Sequence, residues 1–380
     1  MTARAAASIM LAGLAACLSA QVARAQGPMQ IVPPAAQGEP RVTPPNEPAA
    51  KKPGKRPVAK RAAPGEPATV KTEPVTPSSD TPTRTEVTAL NPPAAPPGAP
   101  GDIAYGAFQR GEYFAAYKEA NRRASERGDP VAMTLIGELY ANGYGLPKDE
   151  KKALAWFSLA ADRGDRQAMF SLAMFRFNGR GAPQDRAEAA VLLEKAAKLG
   201  HVAAQYNLAL LYLEGRDVQR NMARAVELLT TAADAGSPEA QYALATLYKD
   251  GNGVPKDPVM AAKLLGSAAR AGVIDAEVEY AIALFNGTGV PKDESAAAAL
   301  FRKAAQKGNP IAQNRLARIL ASGRGLPADP VAAARWHIIA RTAGLSDAWL
   351  ENFIQKLSTT ERETAERTAK FWIAASGPRS

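Results

Sequence analysis

Few side chains in this 380-residue sequence are suited to bond-making chemistry, and their surroundings matter more than their number. Two histidines, His201 and His337, and a single cysteine, Cys17, are the groups whose ordinary pKa values lie nearest neutrality. One thiol makes neither an intramolecular disulfide nor a thiolate metal centre. The histidines lie far apart in sequence, and neither belongs to a nucleophile elbow or a metal-spaced His/Asp/Glu motif. His201 stands where equivalent segments carry Asp129, Asp165, Ser237 and Asn309, residues that open helices, so it reads as a helix cap. His337 follows Trp336 in a helical pattern without a companion of catalytic type in its own segment, and reads as structural. Gly-x-Gly pairs such as Gly251-Asn252-Gly253 resemble phosphate-cradling loops, but they follow helical patterns rather than strands. The sequence is therefore read as non-enzymatic, with no cofactor and no metal.

What those glycines do emerges from their spacing. Gly143, Gly179, Gly215, Gly251, Gly287 and Gly323 stand 36 residues apart, and a further series from Gly128 to Gly344 keeps the same step. A fixed period of this length is the mark of stacked repeats. Six units follow: 129–164, 165–200, 201–236, 237–272, 273–308 and 309–344. Each opens on a capping residue, in three cases before proline (Asp129-Pro130, Ser237-Pro238, Asn309-Pro310). Ala, Leu and Tyr then recur at helical spacing, as Ala204, Leu208, Leu211 and Tyr212 do. Glycine ends this first helix because it takes positive φ without penalty. Pro-x-Asp starts a second helix with Asp149, Asp185, Asp257, Asp293 or Asp329 as cap, and Asp185 with Glu188 fits a capping box. One bulky residue per second helix (Trp156, Leu192, Leu228, Leu264, Leu300, Trp336) and closing Ala-Ala pairs predict close packing of antiparallel helices. The third unit departs from the pattern: Asp217, Gln219 and Asn221 replace the second glycine, the proline and the aspartate, which predicts a looser loop there.

Together the patterns Ala-x-x-x-Leu-Ala-x-x-Tyr, Gly-x-Gly-Val-Pro-x-Asp and Ala-Ala-x-x-Gly resemble the Sel-one-like repeat, a longer relative of the tetratricopeptide repeat. The resemblance covers all six units. It implies an all-α, right-handed α-solenoid whose first helices line a concave surface, and a role as a protein–protein adaptor in signalling, secretion or quality control. Some exported bacterial members restrain membrane sensor kinases. A cysteine-rich minority is linked to β-lactam chemistry, whereas the array here holds no cysteine. By register with tetratricopeptide units, Phe170, Met174, Phe177, Tyr206, Leu210, Leu213 and Tyr242 are candidates to face the groove. Two readings stand for them: packing of first helix on first helix, or an apolar groove that takes a partner's helix or extended peptide.

The flanks complete the plan. Arg4, an apolar run from Ala5 to about Ala20 and Ala23-Arg24-Ala25 fit a secretory signal peptide over 1–25. Leu14-Ala15-Ala16-Cys17 also resembles a lipobox, in which Cys17 would carry a lipid anchor. Both readings export the protein, with the periplasm as the expected destination. Residues 26–101, rich in proline and alanine, are expected to be a disordered linker. Its basic run Lys51, Lys52, Lys55, Arg56, Lys60 and Arg61 allows weak contact with an anionic envelope surface. The net charge of +10 is spread along the chain, without the dense basic and aromatic stripe that nucleic-acid binding requires. Residues 102–128 and 345–380 read as helical caps, with Tyr105, Phe108, Tyr113, Phe114 and Tyr117 covering one end of the array. Trp349, Phe353, Ile354, Phe371 and Trp372 are expected to cover the other, in helices opened by Ser346 and by Ser358 with Glu361. The function expected is an envelope adaptor with a protein partner; the alternative is an envelope-organising protein tethered to membrane or wall.

Overall fold

The computed structural model describes residues 102–375, and among them the chain forms sixteen α-helices and no strand. The expected signal peptide, the lipobox and the linker lie outside the described residues. Helices α1 (Ile103–Gln109) and α2 (Tyr113–Arg127) precede the array. Six pairs follow: α3 (Pro130–Asn142) with α4 (Glu150–Asp162), α5 (Arg166–Asn178) with α6 (Arg186–Lys198), and α7 (Val202–Glu214) with α8 (Met222–Asp234). Then come α9 (Pro238–Asp250) with α10 (Pro258–Arg270), α11 (Ile274–Asn286) with α12 (Glu294–Gln306), and α13 (Pro310–Ser322) with α14 (Pro330–Thr342). Helices α15 (Ala348–Gln355) and α16 (Thr359–Ala375) close the stack. Every pair packs on the next, so the whole is a solenoid of six repeats.

Local chemistry fixes each boundary. The side chains of Asp149, Asp185, Asn221, Asp293 and Asp329 each accept from the backbone N–H three residues on, satisfying a donor that the helix leaves orphaned. Only half of the expected capping box forms: Asp185 accepts from Glu188 N–H, while the Glu188 carboxylate pairs instead with Arg176 at 2.8 Å. Val273 opens α11 without a side-chain cap. At the far end of each first helix a left-handed glycine takes over; Gly251 (φ 73°) donates its N–H to Leu247 O. Each second-helix cap then donates its own N–H back to that first helix, as Asp257 does to Tyr248 O at 2.9 Å.

The second glycine of the Gly-x-Gly pair has a separate role. A Cβ on Gly289 would fall on the backbone carbonyl of Pro258, where the second helix of the preceding unit begins. Gly181 and Gly325 meet Glu150 and Glu294 in the same way. The turn of one unit therefore presses on the helix start of the unit before it. In the third unit Asp217 occupies this place and reaches Arg186, the first residue of α6, at 3.3 Å. In that turn an ion pair to the preceding unit stands where the other units bring a glycine against the backbone.

The core uses alanine where helices cross. Ala160, Ala196, Ala232, Ala268, Ala304 and Ala340 are all fully covered at the 36-residue step, which lets backbones approach closely. The largest second-helix core row lies one residue after the row expected. Phe157, Leu193, Leu229, Leu265 and Phe301 are buried, and His337 holds the sixth position. Of the row expected, Leu192, Leu228 and Trp336 are buried as well, whereas Trp156, Leu264 and Leu300 stay partly exposed.

Both ends are capped, with corrections. Phe108 packs edge-on to Tyr113 at 5.6 Å, and Tyr117 meets Tyr140 at 6.1 Å, but Phe114 is 59% exposed. At the other end Leu350, Ala365 and Ala369 are buried, and Trp372 meets Trp336 at 5.6 Å. Trp349 and Phe371 do not pack inward: Phe371 is 77% exposed, and Trp349 lies outside, stacked on Phe353 beneath Arg318. Asp347, rather than Ser346, caps α15. The Ser358–Glu361 box forms in both directions, with Ser358 N–H donating to Glu361 and Glu361 N–H donating to Ser358 Oγ.

Candidate functional site

The first helices repeat at 36 residues, so equivalent positions form rows across the stack. The first row reads Thr134, Phe170, Tyr206, Tyr242, Val278 and Asn314. The second, one turn on, is Glu138, Met174, Leu210, Thr246, Ile282 and Arg318. A third begins in the cap helix α1 and runs Tyr105, Ala141, Phe177, Leu213, Lys249 and Phe285. The seven groove candidates fall on these three rows.

Their burial separates them. Phe170, Met174, Tyr206 and Leu210 are core residues, none more than 7% exposed, so an occupant does not reach them as they stand. Helix-on-helix packing accounts for these four, and their place in the candidate groove is corrected on that ground. Phe170, for example, lies flat on the His201 ring, 4.6 Å between centroids. Phe177, Leu213 and Tyr242 remain half-buried and present surface. Around them the third row changes chemistry from unit to unit. The Arg186 guanidinium lies over Phe177 at 4.7 Å, Lys249 pairs with Glu279 at 3.1 Å, and Arg324 covers Phe285 at 4.4 Å.

Both histidines are structural, in different ways. His201 caps α7: its Nδ1 accepts from Ala204 N–H at 3.1 Å and its Nε2 faces Gln167 Oε1 at 2.9 Å. That pairing places the proton on Nε2. Burial, helped by the Arg166 charge, pushes its pKa down to about 4 and keeps the ring neutral. His337 does have a partner, supplied from outside its unit: Glu351 of α15 stands 2.8 Å from Nε2, and Arg341 approaches the same carboxylate at 3.2 Å. The His337 bond, seconded by Arg341, holds the Glu351 carboxyl below its usual range. His337 Nδ1 is buried without a hydrogen-bond partner. The arrangement joins the last repeat to the cap and has no substrate-accessible face at the imidazole, which is 0% exposed.

A residue outside the seven candidates stands out. Glu138, half-buried on α3, is the acid in a row that continues as methionine and leucine. Burial, with the Asp165 charge adding to it, pushes its pKa up to about 7. Reading the 36-residue rows position by position reveals it, because a carboxylate stands there where the next two units carry the buried Met174 and Leu210. Among the described residues no group of three or more His, Cys, Asp and Glu side chains is placed to hold a metal ion, and no helix is long and apolar enough to cross a membrane.

Comparison with known proteins matches this geometry. The model of the Sel1 repeat matches residues 130–165, 166–201, 202–237, 238–273, 274–309 and 310–345, more than half of the chain. A search of curated proteins gave no match. Among solved structures, a Sel1 repeat protein from Oxalobacter formigenes is 27% identical, with a TM-score of 0.54 over 63% of this chain and 97% of that one. A protective antigen of uropathogenic Escherichia coli with an SLR fold is 26% identical, with a TM-score of 0.51 over 69% of this chain. This chain spans 64% of that antigen's length.

Proposed function

Because the chain belongs to the Sel1 repeat family, we propose that it is a non-catalytic adaptor of the cell envelope that holds a protein partner on its first-helix face. Sel1 and tetratricopeptide-like repeats are generally protein–protein interaction scaffolds, and such solenoids are typically non-catalytic. One observation carries the reading for this chain. Side chains that recur in every unit are spent on the core and the turns, while the third row, half-buried except at Ala141, varies along the stack: Tyr105, Ala141, Phe177, Leu213, Lys249, Phe285. A surface that is regular in backbone and irregular in side chain suits recognition of an extended partner or a helix.

Envelope placement rests on the signal-like residues 1–25. Export to the periplasm is the leading reading, and lipid anchoring through Cys17 supports the alternative of a tethered envelope-organising protein. Edman sequencing of the mature protein decides between them. A start at Gln26 supports cleavage, a blocked, lipid-bearing Cys17 supports the tether, and an intact Met1 in the cytosol refutes export. For the adaptor, a photo-crosslinking residue at Phe177 or Leu213 is expected to trap one discrete, saturable protein adduct in cells. The same probe at Val259, 65% exposed on a second helix, is expected to trap none. Equal labelling from all three positions would refute a first-helix docking face.

A further inference from the structure

The residue just before the first row marks where each first helix meets the preceding unit. It is Met133, Met169, Gln205, Gln241, Glu277 and Gln313 in turn. The two methionines belong to the apolar core or pack against it. The glutamines bond across the unit boundary: Gln205 Nε2 donates to Ala197 O at 3.3 Å, Gln241 Nε2 to Ala233 O at 3.3 Å and Gln313 Nε2 to Ala305 O at 3.2 Å. Each acceptor lies in the last turn of the preceding second helix, so the amide ties one unit to the next. Glu277 departs from this. Its side chain is fully buried, and Lys303 and Lys307 hold its carboxylate at 2.7 and 2.9 Å. Lys303 lies in α12 and Lys307 caps its end, both in the same unit as Glu277. A carboxylate has no N–H to donate, so Ala269, the equivalent of Ala233, receives no bond from it. The polar bond that elsewhere joins two units here joins the two helices of one.

The helix start at the same boundary is altered in the same sense. Asp129, Asp165, His201 and Asn309 cap their own helices and also reach back to the preceding pair, to Arg123 at 2.9 Å, Thr134 at 2.6 Å, Gln167 at 2.9 Å and Asp275 at 3.5 Å. Val273 has no polar side-chain group with which to do either. The backbones of α10 and α11 approach as at the other boundaries, so the difference lies in the side chains. Besides apolar contact, Lys249 meets Glu279 across this boundary at 3.1 Å, a pair one-third exposed and weakened by solvent, and the turn at Gly289 presses on Pro258. We propose that the boundary between α10 and α11 is an opening site built into the array, and that Glu277 is the residue that places it. The first four units can part there from the last two and the C-terminal cap while every helix pair stays intact. Parting uncovers apolar side chains closed in the resting fold, among them Leu265, Ala269 and Ala276.

The test follows amide hydrogen exchange, resolved by peptide, in the full chain and its variants. Glu277→Gln supplies a donor for Ala269 O and keeps Lys303 and Lys307 as donors to the new amide oxygen. It is expected to slow exchange in α10 and α11 about fivefold and to leave α5 to α8 unchanged. The triple variant Gln241→Glu, Ser267→Lys, Ala271→Lys copies the fifth-unit arrangement into the fourth. It is expected to speed exchange in α8 and α9 about fivefold. Unchanged exchange after Glu277→Gln, or slowing spread evenly over all helices, overturns the opening site. Unchanged exchange of α8 and α9 in the triple variant overturns Glu277 as the residue that places it. Should Glu277→Gln fail to fold, Val273→Asp, which adds the absent cap, is expected to slow exchange in α10 and α11, and no slowing there overturns the proposal.

Discussion

His201 and Glu138 titrate in opposite senses, and each leaves a signature in the dependence of stability on pH. His201 is neutral in the fold, its pKa pushed down to about 4 by burial, against an ordinary value of 6.5. As pH falls the unfolded chain takes up this proton first, so the His201 contribution is intact above about pH 6.5 and is lost between there and about 4. His201→Asn keeps a capping oxygen and removes that loss. Urea denaturation at pH 7.5 and 4.5 is expected to show the wild type losing up to about 3 kcal/mol more than the variant. Glu138 works the other way. With a folded pKa pushed up to about 7, against an ordinary value of 4.5, the folded chain keeps the proton longer. Its contribution is full below about pH 4.5 and is lost as pH rises toward 7. Glu138→Gln is therefore expected to raise the unfolding free energy at pH 8 by up to about 3 kcal/mol and to change little at pH 4. An unaltered pH 8 midpoint would contradict the desolvation of this carboxylate. The cap role of His201 was legible in the sequence, because its register matched Asp129, Asp165, Ser237 and Asn309. Glu138 was legible too, but only to a comparison that asks which unit breaks a row.

At the scale of the element, the turn between paired helices carries most of the specificity. Both glycines of a pair adopt positive φ, yet they differ in what surrounds them. Gly289→Ala would drive a methyl group into the Pro258 carbonyl and is expected to cost about 3 kcal/mol, combining left-handed strain with displaced backbone. Gly272→Ala, with no heavy atom within 4 Å of the added carbon, is expected to cost only about 1 kcal/mol. Thermal or urea midpoints of the two variants measure the difference, and equal losses would remove the inter-unit contact from the explanation. Sequence spacing located these glycines and the helices around them, since capping chemistry is local. Which glycine faces a neighbouring unit is a tertiary fact and was not legible. The same limit applies to the core row: adjacent Trp156-Phe157 and Trp336-His337 pairs look alike in sequence, yet Trp156 stays partly exposed whereas Trp336 and His337 are both buried. His337 sits in a row of phenylalanines and leucines, so His337→Leu restores the pattern and removes an unpartnered buried nitrogen. It is expected to change the unfolding free energy by less than about 1 kcal/mol despite breaking the bond to Glu351, because that carboxylate is 35% exposed and keeps Arg341 as its partner. A loss well beyond that would make the bond itself what fastens the cap.

For the whole molecule, the solenoid is close to one-dimensional, and its stability is a sum of units and their contacts. Buried apolar side chains form one long run from Ala104 to Leu247 and another from Val278 to Ala369. Between them lies a small group, Ala245, Leu265, Ala268, Ala269 and Ala276, flanked by half-buried Tyr242 and Tyr280. Gly266 stands in α10 where other second helices carry a side chain, and a Cβ there would meet the Tyr280 ring at 3.1 Å. The buried apolar cluster is smallest at this place, and α10 and α11 are expected to open before α5 to α8. Hydrogen exchange resolved by peptide is expected to show faster exchange in α10 and α11 than in α5 to α8, and uniform protection would refute a weak junction. The deviating third-unit turn, by contrast, lies within the longer run and carries the Arg186–Asp217 pair. Should that junction open first, the two longer segments would behave as levers about it. Strain along the stack is then expected to be relieved mainly as a change of angle between α9 and α12. An occupant bridging Tyr242 and Ile282 would lock that angle, whereas one confined to Phe177 and Leu213 would leave it free. Where a partner sits along the rows thus decides whether it merely rides on the rod or also sets its bend.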